Sequence, residues 1–99
     1  MSVQSKLEAA IRLRHVVTFT YDGLPRTVEP FLLGVTTAGN PALRGYQTAG
    51  LSQSGKVPGW HLFLLHKIPE IAMTQEEFSG ERAQYNPADR GMSSIGVHI

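Results

Sequence analysis

The feature that most constrains this chain is a run of strand-forming residues followed at once by a tight turn. Residues 16–21 read Val-Val-Thr-Phe-Thr-Tyr, and every one of these side chains is β-branched or aromatic, which favours extended backbone. Asp22-Gly23 follows directly and is typical of a turn, because glycine accepts positive φ angles. Side chains alternate between the two faces of a strand. The run therefore predicts a strand whose buried face is formed by Val17, Phe19 and Tyr21.

Further extended segments follow, separated by glycine, proline and asparagine. They are predicted as strands at 26–36, 42–48, 60–65 and 70–73. Pro30 interrupts the first of them, and because proline has no backbone N–H to donate, it must lie at a sheet edge or a bulge. Residues 49–59 form the longest predicted loop, and loops of that length are commonly mobile or functional.

The N-terminal segment predicts a helix over about residues 5–14. Ser5 and Glu8 are spaced as a capping box, although Ser2 is an alternative cap for an earlier start. The apolar residues recur at i, i+3 and i+4, which is the spacing of one helix face. That buried stripe consists of Leu7, Ala10 and Ile11.

The last quarter of the chain has a weaker pattern. Residues 75–84 are predicted as a short helix capped by Thr74, with Phe78 packed inward, although Gly80 weakens it. Residues 86–91 are rich in turn formers and are interpreted as a tail packed onto the strands. Residues 94–99 alternate polar and apolar side chains and indicate a further strand.

These elements predict one mainly β (α+β) domain over residues 1–99. Its parts are a helix at about 5–14, a small, strongly bent, five-stranded antiparallel barrel at about 15–73, and an irregular C-terminal extension at about 74–99. A chain of 99 residues is long enough for a single modest core.

Composition excludes several classes of protein. The formal net charge is +1 and 41% of residues are hydrophobic, which argues against a disordered chain or a strongly basic nucleic-acid-binding tail. There are no cysteines, so disulfides and thiolate zinc sites are excluded. Without a signal-peptide core or a long apolar run, we expect a cytoplasmic protein. His61 and His66 point to opposite faces of one predicted strand, so neither a metal site nor another cofactor is expected.

The order of the segments resembles one family. A helix precedes a strand ending in Tyr21; after a glycine turn come Arg-Thr-Val-Glu-Pro (26–30), an apolar run, a strand centred on Tyr46, and an apolar strand ending in Lys67-Ile68. This pattern is similar to the WYL domain, a small Sm-like (SH3-like) barrel of bacterial transcriptional regulators and of stress and defence proteins. The Trp-Tyr-Leu tripeptide is replaced here by residues 43–47, and the winged helix-turn-helix that usually accompanies the domain in transcriptional regulators is not expected from these residues.

The resemblance implies a non-catalytic sensing module whose basic, aromatic face binds single-stranded nucleic acid or a nucleotide-like anion. The residues expected to bind it are Arg26, Arg44, Tyr46 and His61, with Trp60 and Lys56 at the rim. Arginine can clamp phosphate with two hydrogen bonds, and aromatic rings stack on bases. His61 is expected to reach the face of Arg44 and Tyr46 if the strand register allows it. The expected partners are therefore such a ligand and, because the domain has no DNA-binding module, a separate DNA-binding protein.

Each of these residues also has a structural interpretation. Arg26 could pair with Asp22 or Glu29, and a lone tryptophan such as Trp60 is commonly a core anchor. An enzyme is not expected, because no nucleophile, base or carboxylate pair has catalytic spacing. The alternative function is a structural or oligomerisation module that assembles through its strand edges, with residues 94–99 as the candidate edge and a second copy as the partner.

Overall fold

The computed structural model describes residues 2–99. It is mainly β, with one helix and six antiparallel strands in a single sheet, which confirms the predicted class and the further strand predicted near the C-terminus. The sixth strand is the C-terminal segment, which joins the sheet. The elements are α1 Val3–Leu13, β1 His15–Tyr21, β2 Leu24–Thr36, β3 Pro41–Gly50, β4 Gly59–Leu64, a 3₁₀ turn Leu65–Lys67, β5 Ile71–Glu77 and β6 Met92–His98.

The sheet is organised around β2, which has 13 residues and is paired along its length except at the bulge around Phe31. The strand order is β4-β3-β2-β1-β5, and β6 also pairs with β2. β1 pairs with the first half of β2, and β6 with the second half. The register between β2 and β3 shifts at Pro30–Leu32, so the predicted irregularity at Pro30 is confirmed. Within residues 2–99, no pairing between β4 and β5 closes the sheet.

The helix packs over one face of this sheet. Ser2 caps it, because its hydroxyl accepts a hydrogen bond from the Ser5 N–H at 3.0 Å, and the helix therefore begins two residues before the predicted start at residue 5. The predicted stripe of Leu7, Ala10 and Ile11 is buried. It joins a core formed by inward-facing residues of the strands, among them Val17, Phe19, Tyr21, Val28, Leu43 and Phe63.

A second apolar cluster lies on the opposite face of the sheet. Phe31 is fully buried at its centre, and Trp60, Phe78 and Tyr85 surround its ring at centroid distances of 4.9, 5.3 and 5.0 Å. Residues 78–91, to which the name extension is limited from here on, supply two of these three rings. The sheet is thus covered on both faces. The predicted packing of residues 86–91 onto the strands is confirmed by Asp89, which accepts hydrogen bonds from Arg44 of β3.

The helix predicted over 75–84 is wrong. Thr74 lies within β5, where its hydroxyl donates to the Val16 carbonyl at 2.7 Å instead of capping a helix. Gly80 has a φ of 81° and interrupts helical geometry. The Phe78 N–H donates to the Arg14 carbonyl at 2.9 Å, so hydrogen bonds to distant parts of the chain determine the conformation of this segment. Among the described residues, no helix is long and apolar enough to cross a membrane.

Candidate ligand-binding site

The pairing of β3 with β4 decides which predicted site residues can act together. Tyr46 lies opposite Trp60 and Gly45 lies opposite His61. Arg44 and Tyr46 therefore share a face with Trp60, as the two-residue strand period predicts for the first pair. His61 is on the other face, so the expectation that it joins Arg44 and Tyr46 is wrong.

Arg44 links β3 to the extension. Its Nε and Nη2 donate to the two carboxylate oxygens of Asp89 at 2.7 and 3.3 Å. This bond from Arg44 is the main reason that the pKa of Asp89 is lowered, and the Gly91 N–H, at 2.8 Å from the same carboxylate, adds to the effect against the opposing influence of burial. The Asp89 side chain is only 9% exposed, so the ion pair is largely shielded from water.

Tyr46 contacts an arginine that the sequence pattern did not identify. The Arg82 guanidinium carbon lies 4.2 Å from the Tyr46 ring centroid. Arg82 also donates two hydrogen bonds to Glu29 on β2, at 2.8 and 3.0 Å, and these raise the pKa of Arg82. The sequence feature that could have predicted this contact is Glu29, because a carboxylate between apolar residues of a strand needs a cationic partner when it is buried.

Trp60 is both a packing residue and part of the surface, because its side chain is half-buried. Its indole N–H donates to the Ala83 carbonyl at 3.0 Å. Its ring meets Tyr46 edge to face at 5.4 Å and stacks on Tyr85 at 5.9 Å with an interplanar angle of 19°. Burial raises the pKa of the Tyr85 phenol, and the Asp89 charge raises it further.

Two neighbouring clefts meet at Trp60 and Gln84, between strands β3 and β4 and the extension. Their volumes are about 380 and 470 Å³, within the range of roughly 300–1,000 Å³ typical of small-molecule sites. We call the two together the arginine–aromatic cleft. Besides the two shared residues, the first is lined by Arg44, Tyr85, Asn86, Asp89, Arg90 and Gly91, and the second by Tyr46, Pro58, Gly59, Arg82 and Ala83.

Arg26 and His61, also predicted as binding residues, lie on the other face. Arg26 is only 4% exposed, and its Nη1 and Nη2 donate to Gln47 Oε1 and the Tyr21 carbonyl, both at 3.2 Å. It therefore pairs with neither Asp22 nor Glu29, the alternatives weighed from the sequence. His61 Nε2 lies 2.8 Å from the Lys56 carbonyl oxygen, while Lys56 itself is exposed in the loop before β4.

Comparison with protein-family models, curated proteins and solved structures returned no match. Within residues 2–99, no three histidine, aspartate or glutamate side chains are grouped to hold a metal ion. The two carboxylates beside the arginine–aromatic cleft, Asp89 and Glu29, are both hydrogen-bonded to arginines. The cleft thus offers aromatic faces and arginine donors, which is the chemistry of binding an anionic, ring-containing molecule.

Proposed function

We propose that this chain is a non-catalytic ligand-sensing domain of the WYL type, its sheet bent into an Sm-like barrel. Its ligand is single-stranded nucleic acid or a nucleotide, bound in the arginine–aromatic cleft. The observation that supports this is the placement of Arg44 and Arg82 on one face with Tyr46 and Trp60. The role in transcription, stress or defence that the resemblance implies belongs to the same proposal.

The chemistry of binding follows from the donors that the two ion pairs leave free. A guanidinium has five N–H donors, and Arg44 and Arg82 each use two nitrogens to hold a carboxylate. The remaining N–H groups are available to phosphate oxygens. Base stacking on a ring such as Trp60 contributes about 1–3 kcal/mol per base.

The position of the cleft also supplies a means of sensing. One wall is formed by β3 and β4 and the other by the extension, which leads directly into β6. A ligand that contacts both walls stabilises the docked extension more than the undocked one. The populations of the two states then shift with ligand concentration, and a DNA-binding partner protein could respond to that shift.

The test is fluorescence anisotropy with labelled single-stranded DNA and RNA, followed by competition with mononucleotides. We expect saturable binding that weakens with salt and weakens about tenfold or more in Arg44→Ala, since one charge-assisted contact is worth about 1.5–3 kcal/mol. Arg12→Ala, which removes an exposed charge on the helix, is the matched control. Circular dichroism establishes that each variant is folded. No binding, or equal binding by Arg44→Ala and the native chain, would refute the proposal.

A second function, self-assembly, is favoured by one observation. β6 pairs with β2 along one side, carries no Lys, Arg, Asp or Glu from Met92 to His98, and is mostly exposed. Natural edge strands are commonly protected by charge or proline. If β6 pairs with a second copy, the mass measured by light scattering will rise with concentration, and Ile95→Lys will abolish that rise. A monomer at every concentration would exclude assembly.

A further inference from the structure

Arg26 is a buried cation without an anionic partner. Its hydrogen-bond acceptors are the neutral Gln47 side chain and the Tyr21 carbonyl, and its guanidinium carbon lies 5.5 and 5.8 Å from the ring centroids of Tyr21 and Phe63. Its Nε has no partner, and it is the one buried side-chain nitrogen or oxygen within residues 2–99 in that condition. Burying an ionised group is costly unless it is paired and hydrogen-bonded.

The two partly buried arginines on the opposite face are both paired with carboxylates. Arg44 and Arg82 each have a carboxylate at 2.8 Å or less from Nε. Arg26 is more deeply buried than either, yet its Nε is free. We propose that Arg26 is the centre of a second binding site, on the opposite face from the arginine–aromatic cleft, and that it takes an oxyanion of the phosphate class.

The surroundings of Arg26 favour an anion over a neutral ligand. His61 packs against the Phe63 ring at 5.8 Å, and the Lys67 ammonium lies 5.8 Å from the Tyr21 ring centroid. Two acids lie near these cations: Asp22, which is 3.9 Å from Lys67 and 34% exposed, and Glu70, which lines a cleft of about 560 Å³ together with Arg26. Neither carboxylate is among the hydrogen-bond partners of Arg26. The two rings form an apolar wall that strengthens electrostatic attraction by excluding water.

The loop at residues 51–58 is hydrogen-bonded to two side chains near Arg26, Gln47 and His61. Gln47 links Arg26 to this loop, because its Oε1 accepts from Arg26 while its Nε2 donates to the Leu51 carbonyl at 2.9 Å. The other end of the loop is held by His61, 2.8 Å from the Lys56 carbonyl oxygen. An anion that takes the Arg26 donors competes with Gln47 and loosens its hold on Leu51. Entry of the anion and movement of the loop are therefore coupled.

The test measures thermal unfolding of the full chain during titration with inorganic phosphate, against sodium chloride at equal ionic strength. A ligand that binds the folded state raises the midpoint in a saturable manner. We expect this rise in the native chain and in Arg12→Met, and its loss in Arg26→Met, which keeps an unbranched side chain without the charge. Phosphate also stabilises proteins in general because it is excluded from their surface. That effect does not saturate and is the same in the native chain and in both variants, so comparing the three shows the contribution of the site alone.

Gln47→Glu is a second variant that keeps the shape of the site. It places a carboxylate where Arg26 already donates, at 3.2 Å, and this internal anion should abolish the response to phosphate even if Arg26→Met fails to fold. No saturable rise in the native chain, or the same rise in either variant, overturns the proposal. Arg44→Ala should keep the phosphate response while losing oligonucleotide binding, so failure of this site is distinguishable from failure of the arginine–aromatic cleft. Faster hydrogen exchange at residues 51–58 with phosphate is expected, and unchanged exchange would refute the coupling to the loop.

Discussion

The ion pair between Glu29 and Arg82 should stabilise the docked extension by a measurable amount. The Glu29 side chain is 10% exposed and the Arg82 side chain 37% exposed, and two hydrogen bonds of 2.8 and 3.0 Å join them. Exposed ion pairs contribute about 0.2–1 kcal/mol, whereas breaking a fully buried pair costs about 3–5 kcal/mol. With one partner buried and the other partly solvated, we expect a coupling energy of about 1–2 kcal/mol.

The assay is a double-mutant cycle of Glu29→Gln, Arg82→Met and the double variant in urea, followed by the fluorescence of Trp60. The cycle removes the separate contribution of Arg82 stacking on Tyr46, because that contact is lost in both arms. The matched control is the pair of Asp22 and Lys67, separated by 3.9 Å with both side chains at least a third exposed, for which coupling of about 0–0.5 kcal/mol is expected. Coupling in the Glu29 cycle no larger than in the control would refute the reasoning.

Three further predictions follow from the same contacts. Phe31→Ala should lower the free energy of unfolding by about 3–5 kcal/mol in urea, because the ring is fully buried among aromatic side chains; a loss below about 1 kcal/mol would mean that the extension does not pack on it. The folded-state pKa of Asp89 is lowered, so its contribution to stability is complete above the unfolded carboxyl pKa of about 3.9 and is lost as pH falls through the folded value. In Asp89→Asn the free energy of unfolding should therefore fall less steeply with decreasing pH in that range, and a pH dependence equal to that of the native chain would contradict the argument. Gly45→Ala should destabilise the domain by about 1–3 kcal/mol, because a Cβ there would collide with Val28, whereas Gly96→Ala, where a Cβ makes only an ordinary contact with the Leu33 carbonyl oxygen at 3.6 Å, controls for the loss of a glycine.

Local sequence pattern was sufficient to predict most of the strands. The β-branched and aromatic run at 16–21, the turn at Asp22-Gly23 and the disturbance at Pro30 all depend on properties of neighbouring residues, and all are present. The helix stripe is equally local. The pattern failed at Thr74, whose capping propensity is outweighed by a hydrogen bond to Val16, which is 58 residues away in the sequence.

The candidate site was less accessible to sequence reasoning. That Arg44 and Tyr46 share a face follows from the period of a strand, but the face of His61 depends on register, which is set by tertiary pairing. The contact between Arg82 and Glu29 spans 53 residues and involves an irregular segment. Neither the periodicity of the sequence nor the spacing of its residues predicts such a contact. The one indication was the carboxylate of Glu29 in a buried strand, which needs a cationic partner.

The distribution of carboxylates gives the two faces of the sheet different expected responses to an anion. On the face of the arginine–aromatic cleft, Arg44 and Arg82 are already neutralised by Asp89 and Glu29, so a ligand there gains mainly from stacking and from the unused N–H groups. On the other face, Arg26 has no carboxylate among its hydrogen-bond partners and its Nε has no partner, so a small oxyanion gains from a charge that no ion pair offsets, without needing a ring. Binding of inorganic phosphate should therefore depend on Arg26, whereas preference for a ligand with a base should depend on Tyr46 and Trp60. A nucleotide whose affinity is lowered equally by Arg26→Met and Arg44→Ala would require one connected site, and the β3–β4 register that separates these side chains would then have to change on binding.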